Sequence, residues 1–178
     1  MRRFLRRFAA ARKGLAAVEF AMIAPVLVTL FFGMTEISDA LNVDTKTTSV
    51  ASTAADLVGQ DKAICTAEMN DIFDALNAIM FPYDPAKMKV TVSSLIDAGS
   101  NQVKVAWSKT RNGTARSVNS IVSIPAGLVD TGGSVIFAEV IYSYSSPTGK
   151  LIYGAIELKD KFYLRPRRVS QVPFTTAC

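Results

Sequence analysis

Histidine is absent from this chain of 178 residues, and cysteine occurs twice, at Cys65 and Cys178. Without histidine the chain cannot form a histidine-based catalytic triad, a histidine metal ligand or an imidazole proton shuttle. Two cysteines alone make a poor metal site, and Gly132-Gly133-Ser134 lacks the lysine and the spacing of a phosphate-binding loop. We therefore expect no enzymatic activity, no metal ion and no cofactor.

The formal net charge of +5 comes from one short stretch. Six of the 20 basic residues precede the first acidic residue, and the remaining 14 are balanced by 15 acidic side chains. A nearly neutral remainder argues against nucleic-acid binding. The six early cations are Arg2, Arg3, Arg6, Arg7, Arg12 and Lys13.

An apolar run from Leu15 to Thr35 follows this basic stretch. A bilayer core of about 30 Å needs roughly 20 helical residues, so the run predicts a single transmembrane helix. Pro25 lies inside it and is expected to kink the helix. By the positive-inside rule, residues 1–14 stay in the cytoplasm and the C-terminal part lies outside.

Glu19 is the one acidic residue in the apolar run. A charged side chain at mid-bilayer costs roughly 2.5–3.5 kcal/mol, which predicts a functional role. A cut between Gly14 and Leu15 would make Glu19 the fifth residue of the new chain. It would then lie one helical turn from a free α-amine, on the same chain or a neighbouring one, that could neutralise it.

These residues carry a family resemblance. Gly14, four apolar residues, Glu19 and Phe20 resemble the prepilin-peptidase motif of type IV pilins, and the Glu-aromatic pair resembles that of the Flp (tight-adherence) branch. The stretch from Gly14 to Leu27 is similar to TadE-like pilus assembly proteins. Residues 121–168 resemble these proteins more loosely.

The resemblance implies a minor pilin or pseudopilin of a bacterial tight-adherence pilus and secretion system, processed by a prepilin peptidase after Gly14. It implies an inner-membrane protein with a periplasmic C-terminal domain, which can enter an extracellular pilus. Other pilins, the peptidase and the inner-membrane assembly machinery are the implied partners. Glu19 is the implied pairing residue.

Three alternatives remain. The run could be a plain membrane anchor, or a cleaved secretory signal with a cut after Ser38-Asp39-Ala40. The protein could also be an anchored periplasmic sensor or binding domain unrelated to filaments. A mature chain starting at Leu15 favours the pilin, Leu41 the secretory signal, and Met1 a plain anchor.

Beyond Thr35, no helix breaker occurs before Gly59, so residues 36–60 are predicted to extend the helix, and Gly59 to Lys62 to form a turn. Residues 61–178 are predicted to form an α+β domain. A second helix over 67–80, with Thr66 as N-cap, has an apolar stripe at helical spacing. That stripe comprises Met69, Ile72, Phe73, Leu76, Ile79 and Met80.

The remainder predicts an antiparallel sheet. Alternating apolar residues predict a hairpin around a turn at 97–101, with Val103, Val105 and Trp107 on one face. Residues 134–144 predict a central strand, and residues 156–164 a strand with one wet face, joined by a turn at 146–149.

Two features allow more than one interpretation. Cys65 and Cys178 can form an intramolecular disulfide, a bridge between subunits or two free thiols. Arg165, Arg167 and Arg168 form a basic cluster that is either a phosphate or surface-polysaccharide site or an edge that is solvated, lipid-facing or salt-bridged. Arg111 and Arg116 are predicted to be exposed.

Overall fold

A computed structural model describes residues 14–99, 102–125, 127–146 and 155–178. The predicted basic leader at 1–13 and parts of two predicted turns (100–101 and 147–149) lie outside these residues. The chain divides into two compact units, Met1–Asp39 and Ala40–Cys178. Its helices are α1 (Leu15–Gln60) and α2 (Thr66–Ile79), and its strands are β1 (Ile64–Cys65), β2 (Met88–Gly99), β3 (Gln102–Arg111), β4 (Ile121–Val122), β5 (Ser134–Tyr144), β6 (Ile156–Leu164) and β7 (Phe174–Thr175).

The long helix predicted from the sequence is confirmed, and α1 runs without interruption for 46 residues. In its hydroxyl-rich stretch, the threonine side chains donate to carbonyls of the preceding turn. Thr45 Oγ1 donates to Leu41 O at 2.9 Å, and Thr47 Oγ1 donates to Val43 O at 2.8 Å. These bonds satisfy hydroxyls that would otherwise compete for the backbone.

The turn predicted at Gly59 begins two residues later, because Gly59 and Gln60 still belong to α1. Gly59 has a packing role. A Cβ atom at this position would lie 3.1 Å from Leu164 Cδ2, and Gly59 O accepts a hydrogen bond of 2.9 Å from Arg167 N. Glycine therefore allows the end of β6 to approach the helix closely.

The second helix is confirmed, but its predicted N-cap is wrong. Thr66 is the first residue of α2, and Cys65 is the N-cap in extended conformation. Glu68 reaches back to this end, with Cys65 N donating to Glu68 Oε2 at 3.4 Å. The predicted stripe is buried except for Ile79, which is partly buried.

The large sheet has the strand order β4-β3-β2-β5-β6 and is antiparallel throughout. The predicted hairpin is β2 and β3, and the predicted central strand is β5, which pairs with β2 on one side and β6 on the other. The main core lies between one face of this sheet and the two helices. It includes Val50 and Val58 of α1, Leu76 of α2 and Val90 of β2.

The prediction that Val103, Val105 and Trp107 share one face is wrong for Trp107. Ser94 pairs with Trp107 and Leu95 pairs with Val105, so Ala106 has no partner across the strand and forms a bulge. One extra residue inverts the alternation of side chains beyond it. Trp107 therefore packs in the main core, whereas Val103 and Val105 pack in a second, smaller core on the other face.

Two short strands form a separate parallel pair, in which Ile64 and Cys65 of β1 lie beside Phe174 and Thr175 of β7. The same two segments are joined covalently by a disulfide between Cys65 and Cys178, whose Cα atoms are 5.3 Å apart. Of the pairings that the sequence left open, the structure contains the intramolecular one.

Candidate functional site

The N-terminal part of α1 is covered with apolar side chains that touch little else in its own compact unit. Phe20 is 68% exposed and Phe31 is 64% exposed, and the helix is long and apolar enough to cross a membrane. It is the one such helix among the described residues. Apolar surface on this scale is not stable in water, so this stretch needs lipid or other protein around it.

Hydroxyl groups in the same stretch are satisfied within the helix. Thr29 Oγ1 donates to Pro25 O and Thr35 Oγ1 donates to Phe32 O, both at 2.8 Å. Pro25 lies inside the helix and leaves it continuous. A hydroxyl group without a hydrogen-bond partner is costly in a low-dielectric surrounding such as a bilayer. These hydrogen bonds within the helix avoid that cost.

Glu19 differs from these threonines. Its side chain is exposed, and within residues 14–39 the structure gives it no hydrogen bond or ion pair. By helical periodicity it shares a face with Ile23, Val26 and Leu30, which are also exposed. An anionic group therefore stands on an otherwise apolar face, where a cation from another molecule can reach it.

The predicted processing residues lie together at the start of the helix. Gly14 immediately precedes α1, Leu15 is its first residue, and Glu19 and Phe20 follow after one turn. A Cβ atom at Gly14 would meet nothing within 4 Å. Packing among the described residues therefore does not require glycine at this position, which leaves recognition by another protein as a reason for it.

The arginine cluster near the end of the domain is largely neutralised. Arg165 Nη1 lies 2.8 Å from Asp130 Oδ2, and its other nitrogens donate to the carbonyls of Gly127 and Leu128. Arg167 forms a salt bridge with Asp56. Of the two alternatives for this cluster, the salt-bridged edge is the one observed for Arg165 and Arg167.

The sequence did not reveal two further ion pairs. Arg111 pairs with Asp74 of α2, and Arg116 lies 2.6 Å from Glu139 of β5. Both arginines are thus partly buried, and the prediction that they are exposed is wrong. Their partners lie far away in sequence, so local charge patterns carried no signal for them.

Among the described residues, no group of three or more histidine, cysteine, aspartate or glutamate side chains is placed to hold a metal ion. The two cysteines are both consumed by the disulfide. The arrangement that the structure offers for function is therefore the start of α1, with its apolar surface and its single carboxylate at Glu19.

Comparison with known proteins adds one result. A family model described as TadE-like protein matches residues 14–56, which is most of α1 and none of the sheet. No curated protein and no solved structure matched the chain. The match confirms the resemblance inferred from Gly14, Glu19 and Phe20, and over this helix the protein is similar to TadE-like proteins of the Tad pilus system.

Proposed function

We propose that this protein is a minor pilin or pseudopilin of a tight-adherence pilus system and that it acts structurally rather than as an enzyme. The observation that carries the proposal is the exposed Glu19 carboxylate, which has no partner within residues 14–39 and lies one turn into an exposed apolar helix that begins directly after Gly14. The TadE-like match over the same residues supports it.

In this proposal a prepilin peptidase cuts after Gly14 and creates an α-amine at Leu15. That amine, from the same chain or a neighbouring pilin, pairs with the Glu19 carboxylate. A charge left unpaired in an apolar surrounding is strongly unfavourable, so staggered arrangements of neighbouring helices are disfavoured. The cost of leaving Glu19 unpaired thereby selects the register in which neighbouring helices pack.

The location proposed for the folded domain is the periplasm. Six cations precede the span in the sequence, which favours a cytoplasmic N-terminus. The disulfide between Cys65 and Cys178 supports the same orientation, because such bonds persist in oxidising compartments and are rare in the cytoplasm.

Mass spectrometry of the protein from cells of its own system tests the processing step. We expect the wild-type chain to begin at Leu15 and Gly14→Phe to accumulate as a full-length precursor. Gly33→Phe is the matched control, since a Cβ atom at Gly33 also meets nothing within 4 Å and the residue lies in α1, the helix that follows Gly14. Normal trimming of the Gly14 variant would refute the cut site.

Co-purification with pilus components tests the pairing role. Glu19→Gln is expected to be processed and inserted in the membrane but to be lost from pilus complexes, because a neutral amide cannot form an ion pair with the α-amine. Glu36→Gln, a carboxylate on the same helix beyond the apolar run, is the control and should assemble normally. Wild-type assembly of the Glu19 variant would contradict the role, and an intact Met1 end would favour an anchored sensor or binding domain.

A further inference from the structure

Part of the outer edge of β3 has no neighbouring strand. β3 contains ten residues, but β4 pairs with Val103 and Lys104 alone. The backbone of Val105 is bonded to Ser120 and Asn119. From Trp107 to Arg111, within the described chain, strand pairing occurs on the β2 side only. An open strand edge of this kind can receive an extended peptide through main-chain hydrogen bonds.

A groove with a cavity of about 390 Å³ lies over β3 and the neighbouring strand β2. Ser94 and Ile96 of β2, residues 106–109 of β3 and residues 171–174 line it. Val118, which is 59% exposed, lies at its rim. The cavity is at the small end of the range for ligand pockets, which suits a few residues of an extended chain.

The walls of the groove are held in place without a ligand. Trp107 Nε1 donates to Val172 O at 2.7 Å, and the rings of Trp107 and Phe174 have centroids 5.7 Å apart. Phe174 lies in β7, which pairs with β1 and precedes the disulfide to Cys65. A site whose walls are already ordered loses less entropy on binding.

The charge of the groove selects an anion. Of the described residues that line it, Lys109 is basic and none is acidic. Lys109 Nζ lies 4.0 Å above the centre of the Phe174 ring, and the structure gives it no carboxylate partner among the described residues. By contrast, Arg111 and Arg116 nearby are each paired with an acidic side chain.

The groove also contains an unused polar group. The Ser94 hydroxyl lines it, is fully buried, and has no hydrogen-bond partner among the residues that the structure describes. A buried polar group without a partner costs free energy, and in a native protein such a group calls for an explanation. A polar atom of a bound molecule would remove this cost if binding opened access to it.

We propose that the edge of β3 between Trp107 and Arg111 binds an extended segment of another protein, which adds a strand to the sheet and places an acidic side chain on Lys109. This binding site does not depend on the processing of the N-terminal helix or on the role of Glu19. It would give the folded domain a partner of its own.

Hydrogen exchange on the full chain in lipid nanodiscs tests the proposal. The probe is the synthetic peptide Thr-Val-Thr-Asp-Thr-Val-Thr, and its matched control has Asn in place of Asp. We expect the acidic peptide to slow amide exchange in residues 107–111 and to bind about tenfold more tightly than the control, as expected for one charge-assisted contact. Exchange in β6, the opposite edge of the sheet, should not change.

Two variants test whether Lys109 is responsible for binding the acidic peptide. Lys109→Gln should bind the acidic peptide about tenfold more weakly, to the level of the Asn peptide. Lys104→Gln is the control, because Lys104 lies on the same strand where β4 already covers the edge. Unchanged exchange in α2 and β5 would show that both variants keep the wild-type fold.

Three results would overturn the proposal. No slowing of exchange by the acidic peptide would show that this edge does not accept an added strand, as for edges that lysine side chains and bulges protect from pairing. Equal binding of both peptides would remove the role of Lys109. Slowed exchange that depends on protein concentration, without peptide, would mean that the edge pairs with a second copy instead.

Discussion

The two stretches of α1 show how one helix serves two surroundings. Residues 15–39 carry large apolar side chains, such as Phe20 and Phe31, that are exposed within their own compact unit. Residues 40–60 bury small ones, with Ala51 and Ala54 completely buried against the domain core. Both halves of the helix are rich in apolar residues, so apolar content alone does not identify the half that packs in the domain core. The size and spacing of the apolar side chains distinguish the two halves.

The physical reason is the partner of each surface. Small side chains let a helix approach a sheet closely, and interiors pack at the density of organic crystals. Within their own compact unit, the described residues 15–39 have no such surface to pack against. Their large side chains give the contact area that a bilayer or a filament needs.

The largest effect is expected from the disulfide, which belongs to the second unit alone. Replacing both Cys65 and Cys178 with Ser should lower the free energy of unfolding of the domain by about 2–5 kcal/mol, because the bond closes a long loop in the unfolded chain. Urea unfolding followed by circular dichroism in detergent measures it.

The first unit provides the control for this change. Insertion of the double variant into membranes should match the wild type, since α1 reaches the bilayer without help from the bond. Wild-type protein treated with a reductant should unfold like the variant. Equal stability of the oxidised wild type and the variant would show that the disulfide adds nothing to the domain.

A smaller effect separates the two halves of α1 directly. Ala54→Leu should destabilise the domain by about 1–3 kcal/mol, because extra methylene groups do not fit a packed core and Ala54 is completely buried. Ala21→Leu, the same change at an exposed position of the same helix, should leave domain stability unchanged. Equal unfolding midpoints for the two variants would contradict the conclusion that only the second half of α1 packs in the domain core.

The smallest effect concerns two carboxylates, one in each unit. Unlike Glu19, Asp97 has backbone partners: Gly99 N donates to its Oδ1 at 2.9 Å and Gly132 N donates to its Oδ2 at 3.0 Å. These hydrogen bonds hold the pKa of Asp97 below its ordinary value of 3.8. A carbon-detected NMR titration should therefore show Asp97 titrating below that value in the folded protein.

The sign of the stability effect follows from this shift. A carboxyl group whose pKa is lowered on folding stabilises the folded state above its unfolded pKa, and the contribution is lost as the pH falls through the folded pKa. Asp97→Asn should remove this acid dependence. In urea, the pKa of Asp97 should return to its ordinary value, and a folded pKa at or above that value would contradict the assignment.

Much of the fold could be predicted from residue patterns. Unbroken apolar and small residues predicted α1, helical spacing predicted α2, and alternation predicted the hairpin and the strands β5 and β6. These elements depend on periodicity that is local in sequence. The start of α1 was also predictable, because Gly14, Glu19 and Phe20 form a short contiguous motif.

What could not be predicted depends on partners distant in sequence. The bulge at Ala106 is set by the pairing of β2 with β3, so no local pattern indicates that Trp107 changes face. Arg111 and Arg116 appeared exposed because Asp74 and Glu139 are brought to them only by folding. The groove over β2 and β3 arises in the same way, since the segment 171–174 lies about 60 residues from Trp107 along the chain.

The link between Cys65 and Cys178 also has a mechanical consequence. A pull applied between α1 and residues 171–178 would pass through the sulfur atoms of Cys65 and Cys178, because Cys65 comes only five residues after α1 ends at Gln60. The tension would then bypass the five-stranded sheet. The domain would keep its shape under load that would otherwise peel β6 from its neighbour.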